Sequence, residues 1–342
     1  MRPDEVPLVP SFVKTNGDQF VLSDDESQVV KLKGSNFQTP NHPHFFFDRF
    51  DFDWVERGMS QVASLGMNCV RQVVGDDQDS HMEALAKYLA VAERYGVRVY
   101  LIPGWPHKYA EEGTLDDREN IEFIRRFVEL VRDDHRVLAY DLVNEPDWIS
   151  NDVWQWDQDR ATAAHRLRWL RRMAEKLREL DPNHAVSAGA TFSYSYWLPE
   201  EPFTLESIVD FVDFHYYRRN YRESWPGDEI RRMKSFTDKP IVVGEFGFPT
   251  DPSYSIEGEP EHNEELQVEM YARYIRDISA ADIVGFLQWA LTDCKPGIAH
   301  QRTEGTYGIL RMDMTWKPVA SLIRDSFRAA TCWPESVGVR TG

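Results

Sequence analysis

Short apolar and β-branched runs alternate with longer stretches of helical period along most of the chain. Strands that alternate with helices are typical of βαβ units and a parallel sheet. Because eight strands in such strict alternation favour closure over an open sheet, the pattern predicts a (β/α)8 barrel. The eight runs are VVKLKGSNF (29–37), NCVRQVV (68–74), VRVYLIPG (97–104), RVLAYDLVNE (136–145), HAVSAGA (184–190), VDFVDFHYY (209–217), PIVVGEFG (240–247) and DIVGFLQWA (282–290).

The segments around these runs complete the predicted organisation. Helical periodicity is clearest in 81–96, 118–133 and 157–180, whereas the helices after the fifth and sixth strands should be short. Ahead of the barrel, Asn16-Gly17 stands between two apolar stretches, which predicts a β-hairpin that caps the closed end of the barrel. We therefore expect an N-terminal extension with this hairpin (1–28), one barrel domain (29–332) and a C-terminal tail (333–342).

The charge composition of the chain indicates which classes of binding partner to expect. The chain has 342 residues and carries 39 basic and 57 acidic residues, a formal net charge of −18. That charge repels phosphate backbones and anionic lipid surfaces, so we expect neither nucleic acid nor membrane as a partner. Aromatic residues reach 13% of the chain, which suits either flat ligand-binding faces or an aromatic core. A monomer is the default expectation.

Cysteine usage and the first residues bear on the compartment. Cys69, Cys294 and Cys332 are odd in number and widely spaced, which indicates free thiols and neither a disulfide framework nor a zinc motif. The stretch MRPDEVPLVPSF (1–12) has no apolar run of the kind a secretion signal needs. A cytoplasmic location is expected, or secretion where a leader has been removed.

Polar side chains stand at the ends of several predicted strands. In a β/α barrel the carboxyl ends of the strands converge on one face, so these residues become neighbours there. Acids in such positions are costly to desolvate unless they are paired or used. The residues are Arg71, Asn144, Glu145, His215, Tyr217, Glu245 and Trp289.

Two of these residues, Glu145 and Glu245, suit glycoside hydrolysis with retention of configuration. One acid must protonate the leaving oxygen and one carboxylate must attack the anomeric carbon, with the carboxyl groups about 5–5.5 Å apart. Their protonation states must also differ. We expect the charge of Glu245 to raise the pKa of Glu145, and a hydrogen bond from Arg71 to keep Glu245 ionised.

The ordered set of motifs resembles clan A of the glycoside hydrolases, most closely family 5, which includes cellulases and mannanases. The motifs are GMNCVR (66–71), VNEP (143–146), HYY (215–217), VVGEFG (242–247) and LQWA (287–290), with LKGSN (32–36) on the first strand. Each motif alone is a weak signal, and their order on the right strands makes the set specific.

This resemblance implies a role for each strand-end residue and requires no cofactor. Glu145 would be the acid/base and Glu245 the nucleophile held by Arg71. Asn144 would bind the 2-hydroxyl of the sugar. His215 and Tyr217 would orient the two carboxylates, and Trp289 would form the floor under the reacting sugar.

Each role has a structural alternative. Arg71 and Glu245 could form an ion pair that only stabilises the barrel, Glu145 could be an acid at the start of a helix, and His215 and Trp289 could be core residues. Four aromatic residues could be either sugar platforms or packing residues: Trp105, Trp148, Tyr194 and Trp197. The segment PGWPHKY (103–109) replaces the plain histidine ending that the family often has on the third strand.

The two histidines of NHPH, His42 and His44, follow the first strand and raise the question of a metal. Two histidines without a carboxylate or a third nitrogen at workable spacing make a weak metal site, so we expect no bound metal. We expect instead that His42 lines the sugar pocket.

These observations predict a retaining β-glycosidase that acts on a neutral or mildly polar β-linked glycan. An endo-acting β-1,4-glycanase, such as a cellulase or mannanase, is the alternative within the same chemistry. Outside it, a non-catalytic glycan-binding barrel would not need both glutamates. A Schiff-base or metal-dependent barrel enzyme would need a strand-end lysine or three metal ligands.

Overall fold

The computed structural model describes residues 8–37, 39, 51–74, 79–147, 160–197, 204–254, 260–295 and 303–329. The chain begins with a small antiparallel sheet of β1 (Val13–Asn16), β2 (Gln19–Leu22) and β3 (Val29–Val30). The predicted hairpin is present, since β1 and β2 pair in register up to Asn16 and Gln19 across the Gly17 turn. This sheet covers the amino-terminal end of the barrel.

The first predicted strand, 29–37, is two strands in the structure. Val29 and Val30 pair antiparallel with β2, and the barrel strand β4 (Leu32–Asn36) begins two residues later. The change of partner falls at Lys31, whose ammonium group bonds the Asp282 carboxylate at 3.0 Å. One continuous apolar run therefore serves two sheets, a division that periodicity alone does not reveal.

The remaining seven barrel strands lie inside the predicted runs. Going round the barrel, the strand order is β8-β7-β6-β5-β4-β11-β10-β9. Ala190, just after β8, closes the circle: its N–H donates to the Asp213 carbonyl at 2.9 Å, and its own carbonyl accepts from the His215 N–H at 2.8 Å. These strands are β5 (Cys69–Val73), β6 (Arg98–Ile102), β7 (Val137–Asp141), β8 (Ala185–Ser187), β9 (Val212–Tyr216), β10 (Ile241–Phe246) and β11 (Gly285–Gln288).

Eight helices in the described residues alternate with the barrel strands. The helices after the fifth and sixth strands are short, as predicted. None of the described helices combines the length and apolar character that a bilayer crossing requires. The helices are α1 (Phe52–Ser64), α2 (Asp79–Arg94), α3 (Leu115–Val131), α4 (Arg160–Leu180), α5 (Leu205–Ile208), α6 (Pro226–Lys234), α7 (Glu264–Ser279) and α8 (Pro318–Arg328).

The start of α3 shows why an observed helix boundary differs from the one that periodicity predicts. The helical period predicts a start near 118, whereas α3 begins at Leu115 because Thr114 caps it. The Thr114 hydroxyl accepts a hydrogen bond from the Asp117 N–H, which satisfies one of the otherwise unpaired donors of the first turn.

Two apolar layers surround the strands. The larger lies between the outward-facing strand residues and the helices. The smaller fills the lower barrel interior, where Leu32, Cys69 and Tyr100 pack together with Val13 and Phe20 of the N-terminal sheet. Side chains alternate along a strand, so each strand also has inward-facing positions nearer its carboxyl end, beyond this interior apolar layer. Polar groups occupy those positions.

A register shift in β10 turns Glu245 into the barrel. Val242 belongs to the interior layer and Val243 to the outer one. Strict alternation would then point Gly244 inward, but the pairing with β9 shifts between Val243 and Glu245, and Glu245 faces the axis instead. A Cβ at Gly244 would collide with the Asp213 carboxylate, so glycine is required where the two strands approach.

Candidate active site

Arg71 is the centre of the polar network at the carboxyl ends of the strands. Its side chain is buried on β5 and reaches carboxylates from two other strands: Nη1 donates to Glu245 Oε1 at 2.7 Å, and Nη2 donates to Asp141 Oδ2 at 2.5 Å. Two amide oxygens complete its shell, Asn36 Oδ1 at 2.9 Å and Asn144 Oδ1 at 2.7 Å. The charged guanidinium is therefore compensated on every side, as a buried charge must be.

The pairing fixes the charge of this arginine. Burial acts to lower the pKa of Arg71, but the charges of Asp141 and Glu245 outweigh it and hold that pKa above its usual value. A permanently cationic Arg71 bonded to one Glu245 oxygen leaves the other oxygen to accept from the Tyr217 hydroxyl at 2.6 Å. Glu245 is thus held in one orientation by two donors from different strands.

Glu145 stands opposite, in the loop that follows β7. Its backbone takes φ of 48°, in the left-handed region that non-glycine residues rarely adopt, and its N–H donates to the Gly189 carbonyl at 2.7 Å. The side chain keeps 23% of its surface exposed, so it can reach a ligand in the barrel mouth.

The pKa of Glu145 rises from its usual value to about 8, mainly because of burial and then because of the charge of Asp147. The sequence predicted a raised pKa for Glu145 but attributed it to the charge of Glu245. In the structure, burial and Asp147 are the main causes of the rise. Near neutral pH Glu145 is the protonated member of the pair, as a general acid must be.

His215 lies between the two glutamates. Its Nδ1 is 2.8 Å from Glu145 Oε1 and 3.5 Å from Glu245 Oε2. Burial lowers the pKa of His215 to about 4, so the ring is neutral and adds no charge to the pair. A Cβ at Gly189 would lie 2.7 Å from His215 Nε2 and 3.0 Å from Arg71 Nη2, so only glycine leaves room for both side chains.

The separation of the two carboxylates is the decisive distance. One ligand atom each of Glu145, His215 and Glu245 can be chosen such that all three lie within 4.8 Å of one another, which places a Glu145 oxygen within that distance of a Glu245 oxygen. This short spacing agrees with the roughly 5–5.5 Å between the carboxyl groups of retaining glycosidases.

Trp289 directly follows β11 and belongs to a small aromatic cluster near the nucleophile. It retains 8% exposure and packs with Tyr307, beside Tyr217. Its indole N–H donates to Glu304 Oε2 at 3.1 Å. Tyr217, beside this cluster, donates to Glu245, and the role of Trp289 as the floor beneath the sugar stays a prediction.

Three acids of the site went unnoticed in the sequence. Asp141 carries a signal that could have been used, because it is a charge inside an apolar strand, four residues before Glu145. Asp147 is fully buried, and its carboxylate accepts from the Thr191 and Phe192 N–H groups and from the Ser195 hydroxyl. Glu304 lies in a loop fifteen positions beyond Trp289 and follows no strand-end rule.

Other predicted residues lie elsewhere or outside the described residues. Trp105 is a core residue: it is 5% exposed, its indole N–H donates to the Leu142 carbonyl, and its ring packs edge-on against Trp169 at 5.0 Å. The packing interpretation replaces the sugar contact, because the third-strand loop turns this ring toward α3 and α4. Trp197 stacks on Phe236 at 4.2 Å, and Tyr194 stacks on Phe192. His42, His44 and Trp148 lie outside the described residues.

Two groups of side chains in the described residues have the spacing to hold a cation. One is Glu145, His215 and Glu245 itself. The other is His107, Asp116 and Glu119 at the start of α3, where His107 Nε2 is 2.5 Å from Glu119 Oε2. Neither spacing by itself implies a bound ion.

Comparison with known proteins identifies the family. The family model described as cellulase (glycosyl hydrolase family 5) matches residues 30–294. Mannan endo-1,4-beta-mannosidase 1 of Arabidopsis thaliana is 22% identical over 371 aligned residues, with 86% of this chain and 85% of that protein covered.

Solved structures agree with the barrel. An endo-1,4-beta-mannanase from Rhizomucor miehei superposes with a TM-score of 0.65 at 16% identity, covering 92% of this chain and all of that one. A beta-D-glucuronidase of Dictyoglomus thermophilum gives 0.68 at 18% identity and covers 93% of this chain. The present chain spans about half (53%) of that glucuronidase. At these identities the structures support the fold alone.

The barrel, the paired glutamates and the family match agree, and they confirm the predicted fold and resemblance. This chain belongs to glycosyl hydrolase family 5 and is a retaining β-glycosidase.

Proposed function

We propose that Glu245 is the nucleophile and Glu145 the acid/base of this glycosidase. The observation that carries the proposal is the short distance between the two carboxylates combined with their unequal environments. Glu245 is bonded to a cation, and Glu145 is bonded to a neutral ring and has a pKa of about 8. Glu145 therefore holds the proton near neutral pH, and Glu245 is positioned beside a cation.

In the first step a Glu245 oxygen attacks the anomeric carbon and forms an ester bond to the sugar. The bond from that carbon to the glycosidic oxygen breaks, and the proton of Glu145 passes to the leaving oxygen. Arg71 and Tyr217 donate to Glu245 throughout and hold its lone pairs in line with the anomeric carbon.

In the second step Glu145, now a carboxylate, removes a proton from water. The resulting oxygen attacks the anomeric carbon, the ester to Glu245 breaks, and the sugar leaves with its original configuration. Neither step needs a cofactor. Asn144 would contact the 2-hydroxyl, and Trp289 would form the floor beneath the sugar. Arg71 donates to the Asn144 side-chain oxygen, which leaves the amide N–H groups of Asn144 to face the sugar.

The proposed substrate is a neutral β-linked glycoside or oligosaccharide, handled by a monomer. Endo-acting mannanase activity is the second candidate, and a specific observation favours it: the Arabidopsis relative is named an endo-1,4-beta-mannosidase and matches this chain over most of both lengths. A panel of aryl β-glucoside, mannoside, xyloside, galactoside and galactofuranoside, assayed beside soluble mannan and cellulose derivatives, separates the two.

The test of the residue roles is Glu245→Ala. Activity on the best aryl β-glycoside should disappear, with a loss of roughly 10⁴-fold or more, because the covalent step has no substitute. The melting temperature should fall only in part, because Arg71 keeps its ion pair with Asp141, and the variant should still unfold in a single transition. Glu269→Ala removes an exposed acid of α7 and is the matched control, with full activity expected. Turnover retained in Glu245→Ala would refute the assignment.

A further inference from the structure

Glu304 is a third acid at the mouth of the barrel, and it lies in a firmly held turn. It begins the short 3₁₀ turn Glu304–Thr306 in the loop after β11. The Thr306 carbonyl accepts from the Thr250 N–H at 3.2 Å and from Lys317 Nζ at 3.2 Å. The Gly305 carbonyl accepts from the Cys294 N–H at 3.1 Å. Bonds to three separate segments fix the turn, so the position of Glu304 is defined before any ligand arrives.

The contacts of Glu304 connect it to the catalytic pocket. Oε2 accepts from the Trp289 indole at 3.1 Å, and Trp289 packs against Tyr307. The Tyr307 ring meets the Tyr217 ring edge-on at 5.7 Å, and Tyr217 in turn donates to Glu245. A single aromatic wall therefore runs from Glu304 to the nucleophile.

The charge of Glu304 has no counter-ion among the described residues. Its one hydrogen bond there comes from the neutral indole of Trp289, and it makes no ion pair with an arginine, lysine or histidine of that part of the chain. Lys317, which bonds the same turn, has its ammonium group 2.8 Å from Asp293. A largely desolvated carboxylate that accepts one hydrogen bond from the described residues has lone pairs left for a ligand.

The described residues that interact electrostatically with Glu304 add no positive charge. They are Glu145, Glu245, Tyr217, Tyr307 and Cys294. Burial keeps the pKa values of both tyrosines well above their usual range and raises that of Cys294 to about 12, so all three are neutral. Burial, followed by the charges of Glu245 and Glu145, raises the pKa of Glu304 to about 7.

The position of Glu304 around the barrel decides which side of the sugar it meets. Glu145 follows β7 and Glu304 follows β11, and these strands lie four places apart in either direction around the eight-stranded circle. A sugar whose carbon 1 lies between Glu145 and Glu245 would therefore turn the opposite side of its pyranose ring towards Glu304. Carbons 4 and 6 lie on that side.

We propose that Glu304 is a specificity-determining residue that accepts a hydrogen bond from a hydroxyl on the carbon 4 to carbon 6 side of the reacting sugar and excludes sugars with a carboxylate at carbon 6. The inference rests on the proposed function, because it takes the orientation of the sugar from the roles of Glu145 and Glu245. It separates this pocket from those of the structurally similar glucuronidases, whose substrates carry such a carboxylate.

The test compares two inhibitors that differ at carbon 6, isofagomine and uronic isofagomine, by titration calorimetry at pH 8. Isofagomine lacks a 2-hydroxyl group. Its affinity therefore does not depend on whether the pocket prefers the glucose or the mannose configuration at carbon 2. The wild type should bind isofagomine about 100-fold more tightly than the uronic form, because two carboxylates would meet in a desolvated site. Glu304→Gln should reduce that ratio about tenfold or more, and Glu304→Ala should weaken isofagomine itself about tenfold.

Glu269→Gln serves as the matched control and should leave both affinities unchanged, and the melting temperatures should confirm that the variants are folded. Equal binding of the two inhibitors by the wild type, or a ratio unaltered in Glu304→Gln, would overturn the inference. Because binding is measured without turnover, an inactive wild type that still shows the Glu304-dependent ratio would refute the proposed function and leave this inference standing.

Discussion

Two buried arginines on neighbouring strands show how differently the two ends of the barrel treat a charge. Arg71, near the carboxyl end of β5, is surrounded by the carboxylates of Asp141 and Glu245, and its pKa lies above its usual value. Arg98, at the amino end of β6, donates to the main-chain carbonyls of His135 and Val9. Burial dominates there and lowers the pKa of Arg98 to about 10.

The difference separates a functional charge from a structural one. At the lower end, carbonyl dipoles solvate Arg98 where the N-terminal segment meets the barrel, and the group performs no chemistry. At the upper end, Arg71 orients Glu245, whose protonation state must differ from that of Glu145 during the reaction. Removing one charge from such a network leaves its partners buried without compensation, so the loss of stability exceeds that of a single contact.

The largest expected effect on stability is that of Arg71→Met. It leaves Asp141 and Glu245 buried without their cation, so the free energy of unfolding should fall by about 3–5 kcal/mol. The catalytic efficiency on an aryl β-glycoside should fall by at least about 10²–10³-fold, because the nucleophile loses its charged donor. Urea unfolding and steady-state kinetics measure the two losses. A stable and active Arg71→Met would show that the upper network is dispensable.

Glu145→Gln should act mainly on catalysis. Loss of the proton donor should reduce kcat/KM by about 10²–10⁴-fold on glycosides with poor leaving groups. The loss should be smaller with a nitrophenolate leaving group, which departs without protonation. Glu269→Gln provides the control. An equal loss on both kinds of substrate would contradict the acid role.

The two ends should also differ in their response to pH. The pKa of Glu145 is raised to about 8 in the fold, so kcat/KM should decline as pH rises through that value. The unfolded chain releases this proton at a lower pH than the native one, so the free energy of unfolding should fall with rising pH between about 4.5 and 8.

Asp213, whose pKa burial raises to about 8, contributes to the same slope. Chemical unfolding at several pH values measures it. Glu145→Gln should flatten the slope and Arg98→Met should not alter it, since Arg98 does not titrate in that window. A slope that Glu145→Gln leaves unchanged would mean that Glu145 does not carry the shifted pKa.

Arg98→Met should have the smallest effect. Two carbonyls lose their donor, which should cost about 1–2 kcal/mol of stability, while kcat/KM should stay within about twofold of the wild type. Arg231→Met removes an exposed arginine of α6 and should change stability by less than about 0.5 kcal/mol. A large catalytic loss in Arg98→Met would erase the distinction between the two ends.

Much of the barrel was predictable because its signals are local. Alternation of apolar runs and helical stretches located all eight barrel strands, and Asn16-Gly17 located the hairpin. The first run was misassigned only where one apolar stretch divides between two sheets at Lys31. Helix starts depended on caps such as Thr114, whose hydrogen bond is invisible to periodicity.

Less of the site was predictable, because its partners come from distant strands. Strand-end position was enough to nominate seven residues. In the structure, polar contacts connect Arg71, Asn144, Glu145, His215, Tyr217 and Glu245, and Trp289 lies in the aromatic cluster beside Tyr217. Strand-end position was not enough for Trp105, which turns into the core. It also gave no sign of Glu304, which reaches the pocket through a loop anchored by three other segments.

The sequence by itself determined the order and spacing of strands and helices, and with it the family and the two candidate acids. That information is carried by neighbours along the chain, through side-chain periodicity and turn chemistry. The tertiary structure decided which of those polar groups face one another and in what protonation state. Distance, burial and the charges across the barrel set a pKa, and each of these exists only once the strands have closed.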